Sequence, residues 1–388
     1  MKVIRKKVFI SHEGENAPFP GFVNYIHRDK PWLVHRYGWE EESDNRDNWM
    51  DIFSEDNGRT WSEPVLAQKS QAIAGGRIKY AENSVYFDSD TNQVLVIASK
   101  GLYPENQLTA DTRWMLEISR LNPDDRQWTV LEETNLGFLE GIAVSFTFPI
   151  KTSAGRLIFP ACKPVIGSDG KFVYYQDYRT PAYQSLVVIG EYQKNGSLTW
   201  QASEPVALDM EKSCRGWDEN TVIELKDGRI AMIIRGSNQV FQDRPGYKWL
   251  AFSNDGGLSW SAPEPWRYDD AKPVESSATG SSTFRSIKNG KMYWIGNICP
   301  ADEKVRGNWP RSPLVIGQVC EESFTLMRNT VTVIDQRGST DSPGVQMSNF
   351  RYYQDRSTGD IVLYLTRFGE RSEEHWKLAD YYEYRIAL

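Results

Sequence analysis

The chain has 388 residues, a formal net charge of −7 and an aromatic content of 13%, with 14 Trp and 19 Tyr. That acidic balance excludes a general nucleic-acid or anionic-membrane surface, which needs a basic excess. Four cysteines far apart (Cys162, Cys214, Cys299, Cys320) and four scattered histidines (His12, His27, His35, His375) offer no disulfide framework and no metal-ligand spacing, so neither metal nor cofactor is expected.

The first residues, MKVIRKKVFISHEGE, are basic but carry no apolar core or small-residue cleavage site, so no signal peptide is expected. No run approaches the roughly 20 apolar residues of a membrane span. A soluble chain is expected, cytoplasmic or exported after loss of a leader. Asp29-Lys30 precedes the apolar run PWLVH, the first of six turn-then-strand signals. An acidic stretch, Glu40 to Asp47, contains Ser43-Asp44; a solvated loop explains it as well as a cation site does. Ser54-Glu55-Asp56-Asn57-Gly58-Arg59-Thr60-Trp61 then fits the pattern S-x-D-x-G-x-[TS]-W. Glu82 stands before the second signal, Asp88–Asn92 ahead of QVLVIA. The third, Ser153–Gly155 ahead of RLIFPA, is followed by Lys163, and the fourth is Asp227-Gly228 ahead of RIAMII. A second copy of the pattern, Ser253 to Trp260, comes next. Asn289-Gly290 ahead of KMYWIG and Ser357–Gly359 ahead of DIVLYL complete the series.

Turn residues of this kind between β-rich runs signal hairpins. In the S-x-D-x-G pattern the Ser and Asp side chains can bond the amides of a tight turn, Gly takes the left-handed position, and Trp packs beneath. Aromatic anchors (Trp61, Trp128, Trp200, Trp260, Phe324) recur roughly every 60 to 72 residues, longer than WD40 or kelch repeats. The two interleaved series predict an all-β six-bladed β-propeller, a single domain over residues 1–388. A β-sandwich with accidental spacing is the competing arrangement.

In a propeller the innermost strands line a channel, so residues at one offset from each hairpin turn share a depth. Counting from Asp227-Gly228, Arg235 is expected to face Asn220 and to lie beside Glu219. The same offset selects His35, Arg36, Lys163, Arg235, Asn297 and Arg367 after the turns, and Glu82, Glu219 and Ser348 before them. A ring of cations suits an anionic sugar, because Arg contacts a carboxylate through two parallel hydrogen bonds. Any one of these residues alone is as well explained by a rim salt bridge. Trp39, Trp114, Trp217 and Trp309 are candidates to stack on sugar rings.

The two S-x-D-x-G-x-[TS]-W copies are Asp boxes, and with the stretch ENTVIELKDGRIAMIIR from Glu219 to Arg235 the chain resembles the sialidase superfamily. The family's matching stretch reads E-x-x-V-V-E-L-x-D-G-x-L-x-x-x-x-R. The resemblance implies that Glu219 matches the Glu that polarises the family's catalytic tyrosine and that Arg235 holds a substrate carboxylate. It implies Arg311, in WPRSPL, as a later arginine of the same triad. It further implies Asp44 as acid/base and Glu82 as a pocket carboxylate. Two departures stand out. Pro18 to Tyr25 holds no Arg where the family has its first, and Met347-Ser348-Asn349-Phe350 stands where the family has its nucleophilic Tyr. Tyr352 and Tyr353 are displaced along the strand; two residues amount to about 7 Å.

The expected function is a glycoside hydrolase that releases a terminal sugar from an acidic glycan. Asp44 is the acid and Glu219 or Glu82 the base or nucleophile. Without the Tyr, direct attack by water with inversion is expected. A uronate polysaccharide lyase using His35 beside Arg36, and a non-catalytic carbohydrate-binding propeller, are the alternatives. The partner in each case is a carbohydrate, with no nucleic acid and no membrane insertion.

Overall fold

The computed structural model describes every residue except Leu108, Ala110, Asp177, Tyr178, Arg179 and Gln242. The helical structure among the described residues is one 3-10 turn at Arg328–Thr330. Strands form six antiparallel sheets of four or five strands, the blades of a six-bladed β-propeller. By packing, the chain forms two units. The first comprises Met1–Thr134, Ser286–Gly290 and Ile334–Leu388, the second Asn135–Arg285 and Lys291–Val333.

The first unit holds blades 1, 2 and 6. Blade 1 runs through Ala17–Tyr25, Leu33–Glu40, Asn48–Ser54 and Val65–Lys69. Blade 2 contains the long hairpin Gly76–Asp88 and Gln93–Pro104, followed by Arg113–Asn122 and Gln127–Thr134. Blade 6 draws on both chain ends: Phe350–Gln354, Ile361–Thr366 and Tyr381–Ala387 are joined by Lys2–Ile10, which pairs with Tyr381–Ala387. That edge strand is mostly exposed and rich in cations, which discourages pairing with a further chain.

The second unit holds blades 3, 4 and 5. Blade 3 includes Leu157–Pro164, Tyr183–Tyr192 and Leu198–Ala202. Blade 4 comprises Asp218–Glu224, Ile230–Arg235, Lys248–Ser253 and Glu264–Pro265. Blade 5 includes Ser282–Arg285, Met292–Asn297, Leu314–Cys320 and Thr325–Leu326.

All six turn signals fall between the first two strands of a blade hairpin. Gly228 adopts φ +85°, a conformation that costs a residue with a Cβ. The apolar runs after the turns become strands buried on both faces, as sheets covered on both sides require. In blade 4 the alternation can be followed residue by residue. Val222, Met232 and Ile234 pack with Ile158, Val187 and Ile189 of blade 3. Their neighbours Ile223, Ala231 and Ile233 pack with Trp294, Val315 and Val319 of blade 5. Each fully buried aliphatic side chain contributes about 1.5–3 kcal/mol.

The two S-x-D-x-G turns close in the same way. Asp56 accepts the amides of Arg59 and Thr60 at 3.0 and 2.9 Å, and Ser54 Oγ accepts that of Gly58 at 2.9 Å. Asp255 accepts Leu258 and Ser259, both at 3.0 Å, and Ser253 Oγ accepts Gly257 at 2.8 Å. Hydrogen bonds from Thr60 hold the Asp56 carboxyl down at about 2.

Candidate functional site

Blade 4 carries the first charged cluster. Thr221 to Glu224 pair in regular register with Ile233 to Ile230, but the register shifts by one before Thr221, so that Arg235 faces Asp218 rather than Asn220. This corrects the sequence-based pairing. Two one-residue offsets are the reason: the turn closes one residue tighter than counted, which alone would set Arg235 opposite Glu219, and a β-bulge at Glu219-Asn220 adds one extra residue on the first strand that re-aims a side chain. Glu219 sits in it at φ +29°, a conformation costing about 1–3 kcal/mol in a residue with a Cβ. The bulge is pinned from both sides, by Asp218 Oδ1 accepting the Glu219 amide at 2.9 Å and by Thr147 Oγ1 donating to the Asn220 carbonyl at 2.8 Å.

The bulge turns the Glu219 carboxylate onto Arg235 at 2.6 Å, with Glu219 29% exposed and Arg235 9%. Arg235 also donates to Asn308 Oδ1 at 3.2 Å, and Arg311 Nε donates to the Asn308 carbonyl at 3.3 Å. Asn308 therefore ties the two expected arginines together. Gly280 packs against the Phe146 ring, whose Cζ a Cβ there would overlap, with Glu219 Oε2 at 3.2 Å beside it. Lys248, opposite Arg235 on the next strand, is fully buried and donates to the Thr279 carbonyl. Burial, then the charge of Arg235, pulls its ammonium down to about 7; Glu219 opposes this and Arg311 adds to it.

The second cluster lies in the first unit. Asp44 occupies a tight turn at φ +58°, exposed, with its amide given to Glu40 Oε1 at 2.8 Å. The Tyr103 hydroxyl donates to the Asp44 carbonyl at 3.1 Å. Glu82 also stands at a register shift, between Tyr80 and Asn83 of the blade 2 hairpin. Its carboxylate, 23% exposed, meets Arg351 at 2.9 Å and Arg46 at 3.8 Å. Arg46 is fully buried, paired with Glu40 and set over the Phe19 ring at 3.8 Å. Burial pushes Glu40 up to about 7; Arg46 opposes this, and Asp44 adds to it.

The remaining expected residues are placed differently. His35 is enclosed, stacked on Phe9 at 5.2 Å and bonded to the Tyr381 hydroxyl at 2.8 Å; burial lowers it to about 3. Arg36 is enclosed beside it, clamped to Asp51 at 2.7 and 2.8 Å between the Phe22 and Trp128 rings. Arg367 is surrounded by Asp335, Asp341 and Glu370. These three are corrected from ligand contacts to packing ion pairs or core. Large side chains and protein carboxylates fill the space around them. Trp217 is likewise fully buried. Lys163 pairs with Glu140 at 2.7 Å, and Trp309 stays 40% exposed. Met347, where a nucleophilic Tyr was sought, is fully buried.

Arg46, Arg351, Glu40, Asn308 and Lys248 were not anticipated. Arg46 had a signal, being the one cation inside the Glu40 to Asp47 acidic run. Arg351 had none in local sequence. Its Nε donates to the Gly21 carbonyl at 2.5 Å, within the Pro18 to Tyr25 stretch that lacks an arginine of its own.

No family model matches the chain. A sialidase of Micromonospora viridifaciens is 27% identical over 218 residues, 53% of this chain and 30% of that protein, so the match spans less than a third of the relative's length. A solved structure from Dyadobacter fermentans, of unknown function, superposes over 100% of this chain and 99% of that one, with TM-score 0.67 and 14% identity. The intramolecular trans-sialidase of Ruminococcus gnavus gives TM-score 0.64 at 13% identity over 100% and 98% of the two chains. An α-L-arabinanase of Penicillium chrysogenum gives 0.59 at 11% over 100% and 99%. The shared property at these identities is the fold.

Proposed function

We propose that this chain, a divergent propeller of the sialidase superfamily, is a glycoside hydrolase that releases a terminal sugar from an acidic glycan. The observation that carries the reading is the Glu219–Arg235 pair, partly open to solvent and built on a strained bulge. Strain of this kind persists where surrounding structure enforces it, and it collects at functional sites. In this reading Arg235 and Arg311 receive the acidic substituent, and Glu219 acts as base or nucleophile. Asp44 and Glu82, in the first unit, keep the roles that the sialidase resemblance implies, acid and accessory carboxylate. Lys163 is a lesser candidate for the same anionic substrate. Oligosaccharide ligands are favoured over nucleic acid by the net charge of −7.

The test is a screen for released reducing sugar against sialosides, uronate-containing glycans and rhamnosides. Release from one acidic class, lowered about 10³-fold in Glu219→Gln and in Asp44→Asn, is expected. Release unchanged in Glu219→Gln, or none from any acidic glycan, overturns the proposal. The lyase alternative loses its base with the enclosure of His35, and unsaturated uronate products are not expected.

A further inference from the structure

A cavity of about 460 Å³ opens between the first Ser-x-Asp turn of blade 1 and the outer strands of blade 6. Four cationic side chains (Arg5, Lys7, Arg59, Arg385) and two carboxylates (Asp355, Glu383) line it, an excess of two positive charges in a chain of net charge −7. The charges are layered. Glu383 and Asp355 form the floor, 1% and 2% exposed, while Arg5 and Lys7 at the mouth are 48% and 45% exposed. An approaching molecule therefore meets cations first.

The pairing across the two outer strands deepens this bias. Arg5 and Arg385 stand directly opposite each other, and Lys7 stands opposite Glu383. Like charges facing across an antiparallel pair are destabilising, so the Arg5–Arg385 pair needs anions around it. Arg5 takes Glu383, which Lys7 also contacts at 3.3 Å. Arg385 takes Asp355 at 2.9 Å and reaches Asp360, itself shared with Lys288, at 3.4 Å. Arg59 is left over: among the described residues no carboxylate pairs with it, and its amide alone is used by the turn. Ser357 and Thr358 bring hydroxyl groups to the same wall.

We infer that this cavity is a binding site for a tetrahedral oxyanion, a phosphate or a sulfate ester, held by Arg59, Arg385, Arg5 and Lys7. Arginine forks and a lysine ammonium match the several oxygens of such an anion; the two surplus charges match free sulfate or a phosphate monoester as a dianion, and a sulfate ester neutralises one of them. The volume leaves space for one sugar ring attached to the ester. Because Arg5 and Lys7 belong to the N-terminal edge strand, a bound anion ties that strand to the Ser-x-Asp turn of blade 1. The inference stands apart from the hydrolase reading and shares no residue with it.

Calorimetric titration at fixed ionic strength tests it with four probes: inorganic phosphate, inorganic sulfate, N-acetylglucosamine 6-sulfate and glucuronate. One oxyanion per chain is expected, with amide exchange across Lys2–Ile10 slowed on binding. Arg59→Ala is expected to weaken it about tenfold. Arg59 is exposed, and the second motif carries Leu258 at the same place with its turn fully formed, so the variant keeps its fold. Glycan hydrolysis by this variant is expected to be unchanged. Equal affinity for the free anions and the sulfated sugar supports a site for free anion; tighter binding of the sugar supports a glycan-borne ester. Absence of binding by all three oxyanions, binding unaltered by Arg59→Ala, or glucuronate binding as tightly as sulfate overturns the inference.

Discussion

Glu219 in blade 4 and Glu82 in blade 2 occupy the same structural niche and are treated in opposite ways. Each stands at a register shift in the first strand of its hairpin, and each carboxylate meets arginine. Among the described residues the Glu219 carboxylate pairs with one guanidinium, 2.6 Å away on its own hairpin, and is aimed by a left-handed backbone. Glu82 is held between Arg351 and Arg46, brought from blade 6 and from the blade 1 loop, both nearly enclosed. A partly open carboxylate with one guanidinium partner keeps oxygens for a substrate. One bracketed by two buried guanidiniums serves chiefly to neutralise them. In the proposed function, identical residue types at register shifts divide into a reacting and a supporting role through what the rest of the chain packs around them.

Turnover breaks the comparison most sharply. Glu219→Gln is expected to lower kcat about 10³-fold on the glycan found by the screen, whereas Glu82→Gln lowers it about tenfold. Equal losses in steady-state assays would erase the distinction between the two carboxylates.

The pH dependence of stability separates the two units next. In the second unit, Lys248 has its folded value pulled from 10.5 to about 7 by burial and by Arg235 and Arg311, against Glu219. Between those values the unfolded chain binds more protons than the folded one, so stability rises with pH from about 7 to 10.5. In the first unit, Glu40 is raised from 4.5 to about 7 by burial, against Arg46 and with Asp44. There the folded chain binds more protons, and stability falls as pH rises from 4.5 to about 7. Urea unfolding across both windows should show the upper slope flattened in Lys248→Met and the lower slope flattened in Glu40→Gln. Slopes unchanged in these variants would place the titration elsewhere.

Removing the arginines probes the same contrast through stability. Arg351→Met takes the nearer guanidinium from Glu82, leaving Arg46 at 3.8 Å, and removes the donor to the carbonyls of Gly21 and Phe350, with an expected cost of about 2–4 kcal/mol. Arg235→Met leaves Glu219 free to rehydrate, and a cost of about 1 kcal/mol is expected in urea unfolding.

What was legible in the sequence follows this division. Blade 4 could be read because its chemistry is local: Asp227-Gly228 fixes the hairpin, and Glu219 and Arg235 lie at its far end. Even there, counting missed one residue at the turn and one at the bulge, since neither the turn's closure nor an inserted residue leaves a mark in a turn dipeptide. The six blades were legible because turns and Ser-x-Asp motifs repeat along the chain. The Glu82 surroundings were not, because Arg46 and Arg351 arrive from residues 36 before and 269 after it. Constant offset also misled at His35, Arg36 and Arg367, because it reports depth along a strand but not which face is filled. Arg36 is enclosed by Phe22, Trp128 and Asp51, which no count from the Asp29-Lys30 turn brings into view.

The smallest expected effect is the one on which the two units should agree. Ser54 and Ser253 perform the same task, each accepting two amides of its turn and donating to the motif Asp, at 2.9 and 2.7 Å. Ser54→Ala and Ser253→Ala should each cost about 1 kcal/mol in urea unfolding, the ordinary value of a capping hydroxyl, with turnover unchanged. Agreement between them makes the scaffold equivalent in the two units, so that differences between Glu219 and Glu82 come from their guanidinium partners. A much larger loss for Ser54→Ala would instead trace to the cavity beside it, because Gly58 and Arg59 of that turn line the wall that Arg5 and Arg385 share.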